Sequence, residues 1–104
     1  MKANAANANG HRRRQLVARV KAEETHCALC DQYVDQSLPF LNPMAAVVDE
    51  DIPRSRGGSQ YDRPNCHLMH RECNRWKSAM TLAQARAKRA GAKPLEAIEA
   101  SPIW

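Results

Sequence analysis

The sequence predicts a small α+β domain stapled by a metal ion, with helices flanking a central hairpin. Three observations lead there. Large apolar side chains are too few to hold a core by themselves, two Cys/His pairs of equal spacing lie far apart, and a short strand-turn-strand pattern between them runs into helical periodicity. Leu, Ile, Val and Phe together make 16 of 104 residues, about 15%, below the level at which a chain is expected to stay disordered. The 43% hydrophobic content is inflated by 17 alanines, each burying little area. Such a chain needs a covalent or metal staple. At this length one domain fits, and separate catalytic and binding domains are excluded.

The elements follow in order. Residues 1–9, rich in Ala and Asn, are expected as a frayed, disordered tail ahead of a single domain spanning 10–104. A helix is predicted from about His11 to Glu24, docking through the narrow stripe Leu16, Val17 and Val20. Pro39 and Pro43 make 31–46 an irregular connection. Ala46 to Ile52 is a candidate strand stopped by Pro53, Gly57-Gly58-Ser59 turns the chain back, and Cys66 to Met69 pairs with it. Helical pattern then runs from about His70 to Met80. Thr81 and Gln84 have capping-box spacing, so a second helix starts there and stops at Gly91. Pro94 predicts one more short helix before Ser101-Pro102. The core thus covers about 27–80 and a helical extension 81–104.

The opening MKANAANANGHRRR has no apolar segment able to act as a secretory signal, and the longest apolar run, Met44 to Val48, is far short of the ~20 residues that cross a bilayer. The expectation is a soluble, cytoplasmic protein with no membrane partner. A reducing compartment favours thiolate-metal ligation over disulfides. Net charge is +5, distributed as +4 over residues 1–30, −3 over 31–65 and +4 over 66–104. Basic ends around an acidic middle suit a polyanion held through a bridging cation; on charge alone, solvated helix faces are the better explanation.

Cys27-Ala28-Leu29-Cys30 is one knuckle and His70-Arg71-Glu72-Cys73 the other. Two residues between ligands let a tight turn aim both side chains at one ion, and three thiols with an imidazole suit tetrahedral zinc. Cys66 and His67 could compete for the second pair, but in a strand Cys66 shares a face with Leu68 and reads as a buried thiol. A redox C-x-x-C is the rival reading, without the βαβ context it needs. Between Cys30 and His70 lie 39 residues, too many for a minimal finger.

That gap holds Val47-Val48-Asp49-Glu50-Asp51-Ile52-Pro53-Arg54-Ser55-Arg56-Gly57-Gly58, then Asn65, followed by Cys73-Asn74-Arg75-Trp76-Lys77. With its knuckles, the stretch from Cys27 to Lys77 resembles the HNH endonucleases of the ββα-metal fold, and the basic helix before it is similar to small phage-encoded members. Anchored on Pro53 and Gly57-Gly58, Asp49 falls at the family's Asp, Glu50 at its first His, Asn65 at the central Asn and Asn74 at the last letter. The resemblance implies cleavage of phosphodiester bonds in double-stranded DNA. It also implies a phage setting beside terminase or portal in genome packaging, to which composition adds nothing.

Elementary chemistry agrees with that implication. Phosphodiester hydrolysis needs an activated water and a cation on the phosphoryl oxygens. Asp49 and Asn74 are hard oxygen donors suited to one Mg2+, Mn2+ or Ni2+, and Cys73 sets where its neighbour Asn74 points. Zinc removal is therefore expected to abolish activity. Glu50 departs from the family's histidine: general base, second metal ligand and degenerate site are its three open roles, with His67 a substitute base. Arg54, Arg56, Arg63, Arg75 and Lys77 are candidate phosphate contacts or plain surface. Asn65 is a catalytic-site candidate that would brace the loop. Trp76 is expected to pack on the first helix rather than touch DNA, and Ile103 and Trp104 to dock on the body or a partner. The rival from another class is a non-catalytic zinc module that binds DNA or a packaging protein.

Overall fold

A computed structural model of the chain describes residues 2–91. Helix α1 (Lys2–Glu23) leads into an irregular segment, then strands β1 (Ala46–Glu50) and β2 (Cys66–His70), and helices α2 (Arg71–Lys77) and α3 (Leu82–Gly91). Short 3-10 turns occupy Arg54–Arg56 and Arg63–Asn65 between the strands. The architecture is α+β, with a two-stranded antiparallel sheet.

Helix α1 starts nine residues before the predicted His11. Alanine, the best helix former, recurs through residues 3–8 and carries the helix through the stretch expected as a tail. Leu16 and Val20, about one turn apart, are buried, and Val17 is half-buried beside them. This stripe meets Leu68 and Cys66 of β2, Cys27, Leu29 and Val34 of the following segment, and Leu82 and Ala85 of α3.

Strand pairing puts Asp49 opposite His67, Glu50 opposite Cys66 and Val48 opposite Leu68. Because side chains alternate, Asp49 and Glu50 leave β1 on opposite faces. β1 ends two residues before the predicted Ile52, although one more rung, Asp51 N–H to the Asn65 carbonyl at 2.7 Å, precedes the turn. Pro53 then has no N–H to offer. In the loop Gly57 takes φ +93°, and a Cβ on Gly58 would lie 1.6 Å from the Ile52 carbonyl oxygen. Both glycines are required for backbone reasons.

Helix α2 follows β2 without a loop. Its first N–H groups, left over by helix geometry, donate to loop carbonyls: Arg71 to Ala45 at 2.8 Å and Glu72 to Pro43 at 2.7 Å. α2 ends at Lys77, short of Met80, where Ser78 leaves the helix with a positive φ of +52°. The predicted capping box of α3 is formed, with Gln84 N–H donating to Thr81 Oγ1 at 3.1 Å and Thr81 N–H to Gln84 Oε1 at 2.9 Å. The helix expected from Pro94 and the roles of Ile103 and Trp104 lie outside the described residues. Among the described residues no helix is long and apolar enough to cross a membrane.

Candidate functional site

The knuckle after α1 is built by backbone bonds. Cys27 N–H donates to the Gln32 carbonyl and Asp31 N–H to that of Cys27, with Asp31 left-handed at φ +64°. Ala28 N–H then docks the turn on the Leu68 carbonyl of β2 at 2.8 Å. The second pair sits where β2 becomes α2. Cys27, Cys30, His70 and Cys73 converge so that their ligand atoms all lie within 4.8 Å of one another, close enough for an ion such as zinc. Among the described residues no other group of three or more His, Cys, Asp or Glu does so.

Histidine orientation supports this. His70 Nδ1 faces Cys30 Sγ at 3.4 Å and Cys73 Sγ at 3.8 Å, while Nε2 lies 2.9 Å from the Tyr33 carbonyl. A proton on Nε2 satisfies that carbonyl and leaves Nδ1 free to ligate, the outer contact typical of metal-bound imidazole. Burial, with the neighbouring Cys27 and Cys30 sulfurs, pushes the Cys73 thiol up to about 12. At Cys27 burial acts the same way, but backbone bonds at Cys30, His70 and Leu29 outweigh it and hold the thiol below its usual range. For all three cysteines to ionise this close together, a cation must sit among them. All four cysteines are free of disulfides, and Cys66 is the buried thiol the strand pattern indicates.

Around Asp49 the structure corrects one residue and defines another. Lys77, a candidate phosphate contact, is fully buried: its Nζ lies 2.8 Å from Asp49 Oδ2 and donates to the Glu50 carbonyl at 3.0 Å. It cannot reach solvent phosphate, because α2 turns it inward beneath β1. Asp49 Oδ2 is itself buried and, despite the nearby amine, receives no directed hydrogen bond. Asn74 lies three residues before Lys77 on α2, hence on a neighbouring side of that helix. The other face holds Glu50, whose Oε2 is 3.0 Å from Arg13 Nη2. Arg13 also donates to the Gln60 carbonyl at 2.7 Å and the Val48 carbonyl at 3.0 Å.

Sequence reading missed Arg13. Its signal was there: Arg13, Leu16 and Val20 follow the i, i+3, i+7 spacing of one helical stripe.

Asn65 braces the loop. Its Oδ1 accepts Ile52 N–H at 2.9 Å, and its Nδ2 donates to the carbonyls of Ile52 at 3.1 Å and Ser59 at 3.0 Å. Arg63 is likewise structural, tied to Glu23 at 3.0 Å, Glu24 at 2.9 Å and the Cys66 carbonyl at 2.9 Å. Arg54, Arg56 and Arg75 remain exposed. His67 Nδ1 lies 2.6 Å from Asp51 Oδ1. Trp76 is 43% exposed, with Lys88 of α3 over its ring at 5.5 Å, so its neighbour is α3 rather than the predicted first helix.

Fold and site together define a small α+β protein carrying a Cys3His cluster able to hold a metal ion such as zinc. No family model, curated protein or solved structure matches the chain.

Proposed function

We propose that this chain is a zinc-stapled, divalent-cation-dependent HNH endonuclease that hydrolyses phosphodiester bonds in double-stranded DNA. The observation that carries the reading is Asp49 Oδ2: a buried carboxylate oxygen that accepts no directed hydrogen bond and has the Lys77 amine 2.8 Å away, on a hairpin that runs directly into the Asn74 helix, beside the Cys3His cluster. A buried carboxylate oxygen calls for a positive partner; the Lys77 ammonium supplies one, and under this reading a divalent cation takes that place. The donor set is right for a hard cation, since Asp49 and Asn74 offer a carboxylate and an amide oxygen.

Bound there, Mg2+, Mn2+ or Ni2+ would supply charge neutralisation on the phosphoryl oxygens. The chain's own residues do the rest. The Cys3His cluster, holding zinc, would tie the knuckle after α1 to the junction of β2 and α2, and so would set where α2, the helix that carries Asn74, sits against the hairpin that carries Asp49. Asn65 holds the loop from Ile52 to Ser59 against the hairpin. Arg54, Arg56 and Arg75 supply phosphate contacts, and DNA bound through them is read by its backbone. Two groups are candidates to accept the proton of the attacking water: His67, which pairs across the ladder with Asp49 on the same face and lies beside Asp51, is the better placed, while Glu50 leaves β1 on the opposite face and is paired with Arg13. Single-turnover rates of Glu50→Ala and His67→Ala assign the role to the one whose loss slows cleavage. The phage packaging setting, beside terminase or portal, is part of the same proposal and rests on resemblance alone.

A second reading has its own support. Cationic side chains already lie on Asp49 and Glu50, as they would in a non-catalytic zinc module that only binds DNA. Zinc analysis and nicking of supercoiled plasmid with Mg2+, Mn2+ or Ni2+ against EDTA separate the two. The nuclease nicks, and loses nicking in Asp49→Ala and Asn74→Ala with zinc retained. One zinc and no nicking in any metal would leave the binding module.

A further inference from the structure

We propose that Lys77 is a built-in competitor for the divalent cation at Asp49, an internal ammonium that occupies the carboxylate until a cation of higher charge displaces or outweighs it. The inference rests on the reading of Asp49 as a cation ligand and adds what governs its affinity.

Three observations carry it. Lys77 is fully buried, with its amine 2.8 Å from Asp49 Oδ2. Its one hydrogen bond, to the Glu50 carbonyl at 3.0 Å, anchors the amine at the same strand end. Asp49 Oδ2 still receives no directed hydrogen bond, so the contact is chiefly charge against charge, and the oxygen's lone pairs are not fully engaged. A lysine ammonium is a compact point charge on a flexible stem, unlike the planar fork of arginine, and it can move off an oxygen by rotating its own chain. An ion on Asp49 and an ammonium on the same carboxylate repel in a partly desolvated setting where screening is weak. Lys77 thus keeps the apo carboxylate from standing buried and unpaired, a costly state, and lowers affinity for the activating cation. Arg13 cannot take this part, because it lies on the opposite face of β1 with Glu50.

The test is Mn2+ binding to the zinc-loaded chain, read by electron paramagnetic resonance of free Mn2+ and independent of any cleavage. Lys77→Gln keeps a donor near Asp49 and removes the charge; it is expected to bind Mn2+ at least about tenfold tighter, roughly 1.4 kcal/mol, while Lys77→Arg, charge retained, stays near wild type. Equal or weaker binding by Lys77→Gln with zinc intact overturns the inference and leaves the Asp49 reading standing if wild type binds Mn2+ and Asp49→Asn does not. No Mn2+ binding by either protein overturns both. Should Lys77→Gln lose zinc, the unmodified chain decides: the 15N resonance of the Lys77 ammonium is expected to shift on Mg2+ titration and not in Asp49→Asn. A resonance unmoved while Asp49 backbone signals saturate overturns the inference.

Discussion

Asn65 grips Ile52 from both sides, accepting its N–H at 2.9 Å and donating to its carbonyl at 3.1 Å, 13 residues away in the chain. The side chain replaces the rungs that the ladder loses when β1 gives way to the Pro53 turn, and a third bond to the Ser59 carbonyl pins the loop after Gly58. Its contribution is to loop geometry. Asn65→Ala is expected to destabilise the zinc-loaded protein by about 1–3 kcal/mol, from lost bonds of about 1 kcal/mol each at a partly exposed site. Asn65→Asp should be no better, because it sets a carboxylate against two carbonyl oxygens. Urea unfolding curves with zinc present measure both; unchanged midpoints would remove the brace.

The paired glycines are expected to fail differently. Gly57→Ala meets open space but must hold φ +93°, a strain of about 1–2 kcal/mol. Gly58→Ala drives a Cβ to 1.6 Å from the Ile52 carbonyl oxygen, so backbone must move and the loss should exceed about 3 kcal/mol or prevent folding. Equal behaviour of the two variants in thermal unfolding would contradict the close approach of Gly58 to the Ile52 carbonyl.

Zinc binding should release protons. The Cys73 thiol, pushed up to about 12 in the metal-free chain chiefly by burial, is protonated at neutral pH and must ionise to ligate. Binding at pH 7.5 is therefore expected to expel at least about one proton, and affinity to fall as pH falls because protons compete for the thiolates. Calorimetry in buffers of different ionisation enthalpy counts them. A count of zero would mean that Cys73 does not ligate as a thiolate. Stripping the zinc should also unfold the hairpin, seen as loss of dispersion in the amide spectrum.

Arginine variants should divide into two groups. If the chain binds DNA as proposed, Arg54→Ala and Arg75→Ala, at exposed positions, weaken that binding across sequences and lower the salt slope by about 1 each. Arg63→Ala should instead act on stability, since its guanidinium joins Glu23, Glu24 and the Cys66 carbonyl. The check is fluorescence anisotropy at several salt concentrations beside unfolding curves. A full-size drop in salt slope for Arg63→Ala with stability intact would reverse that assignment.

Arg13→Met removes the contacts to Gln60, Val48 and Glu50 together, and should cost about 2 kcal/mol as partly buried acceptors lose their donor. Glu50→Gln retains an acceptor for the guanidinium and should cost less than about 1 kcal/mol. If Glu50→Gln proves the more destabilising, the carboxylate rather than the arginine organises that face.

How much of this was readable beforehand follows from the range of each interaction. The two knuckles, the hairpin between them and the Thr81–Gln84 box were legible because each rests on contacts a few residues long: a fixed spacing between ligands, an alternation, a cap. Cys3His pairing crossed a long gap, yet only a handful of thiols and imidazoles compete for one ion, so chemistry narrowed the choice. The partners of Arg13, Arg63 and Lys77 were not legible. Those side chains meet groups 35, 39 and 27 residues away, and sequence presents them as interchangeable surface cations. Which one turns inward depends on how α1 and α2 sit against the sheet and on the alternation that sends Asp49 and Glu50 to opposite faces. A long flexible cation takes whichever carboxylate or carbonyl the packing leaves within reach, and only the assembled fold decides that.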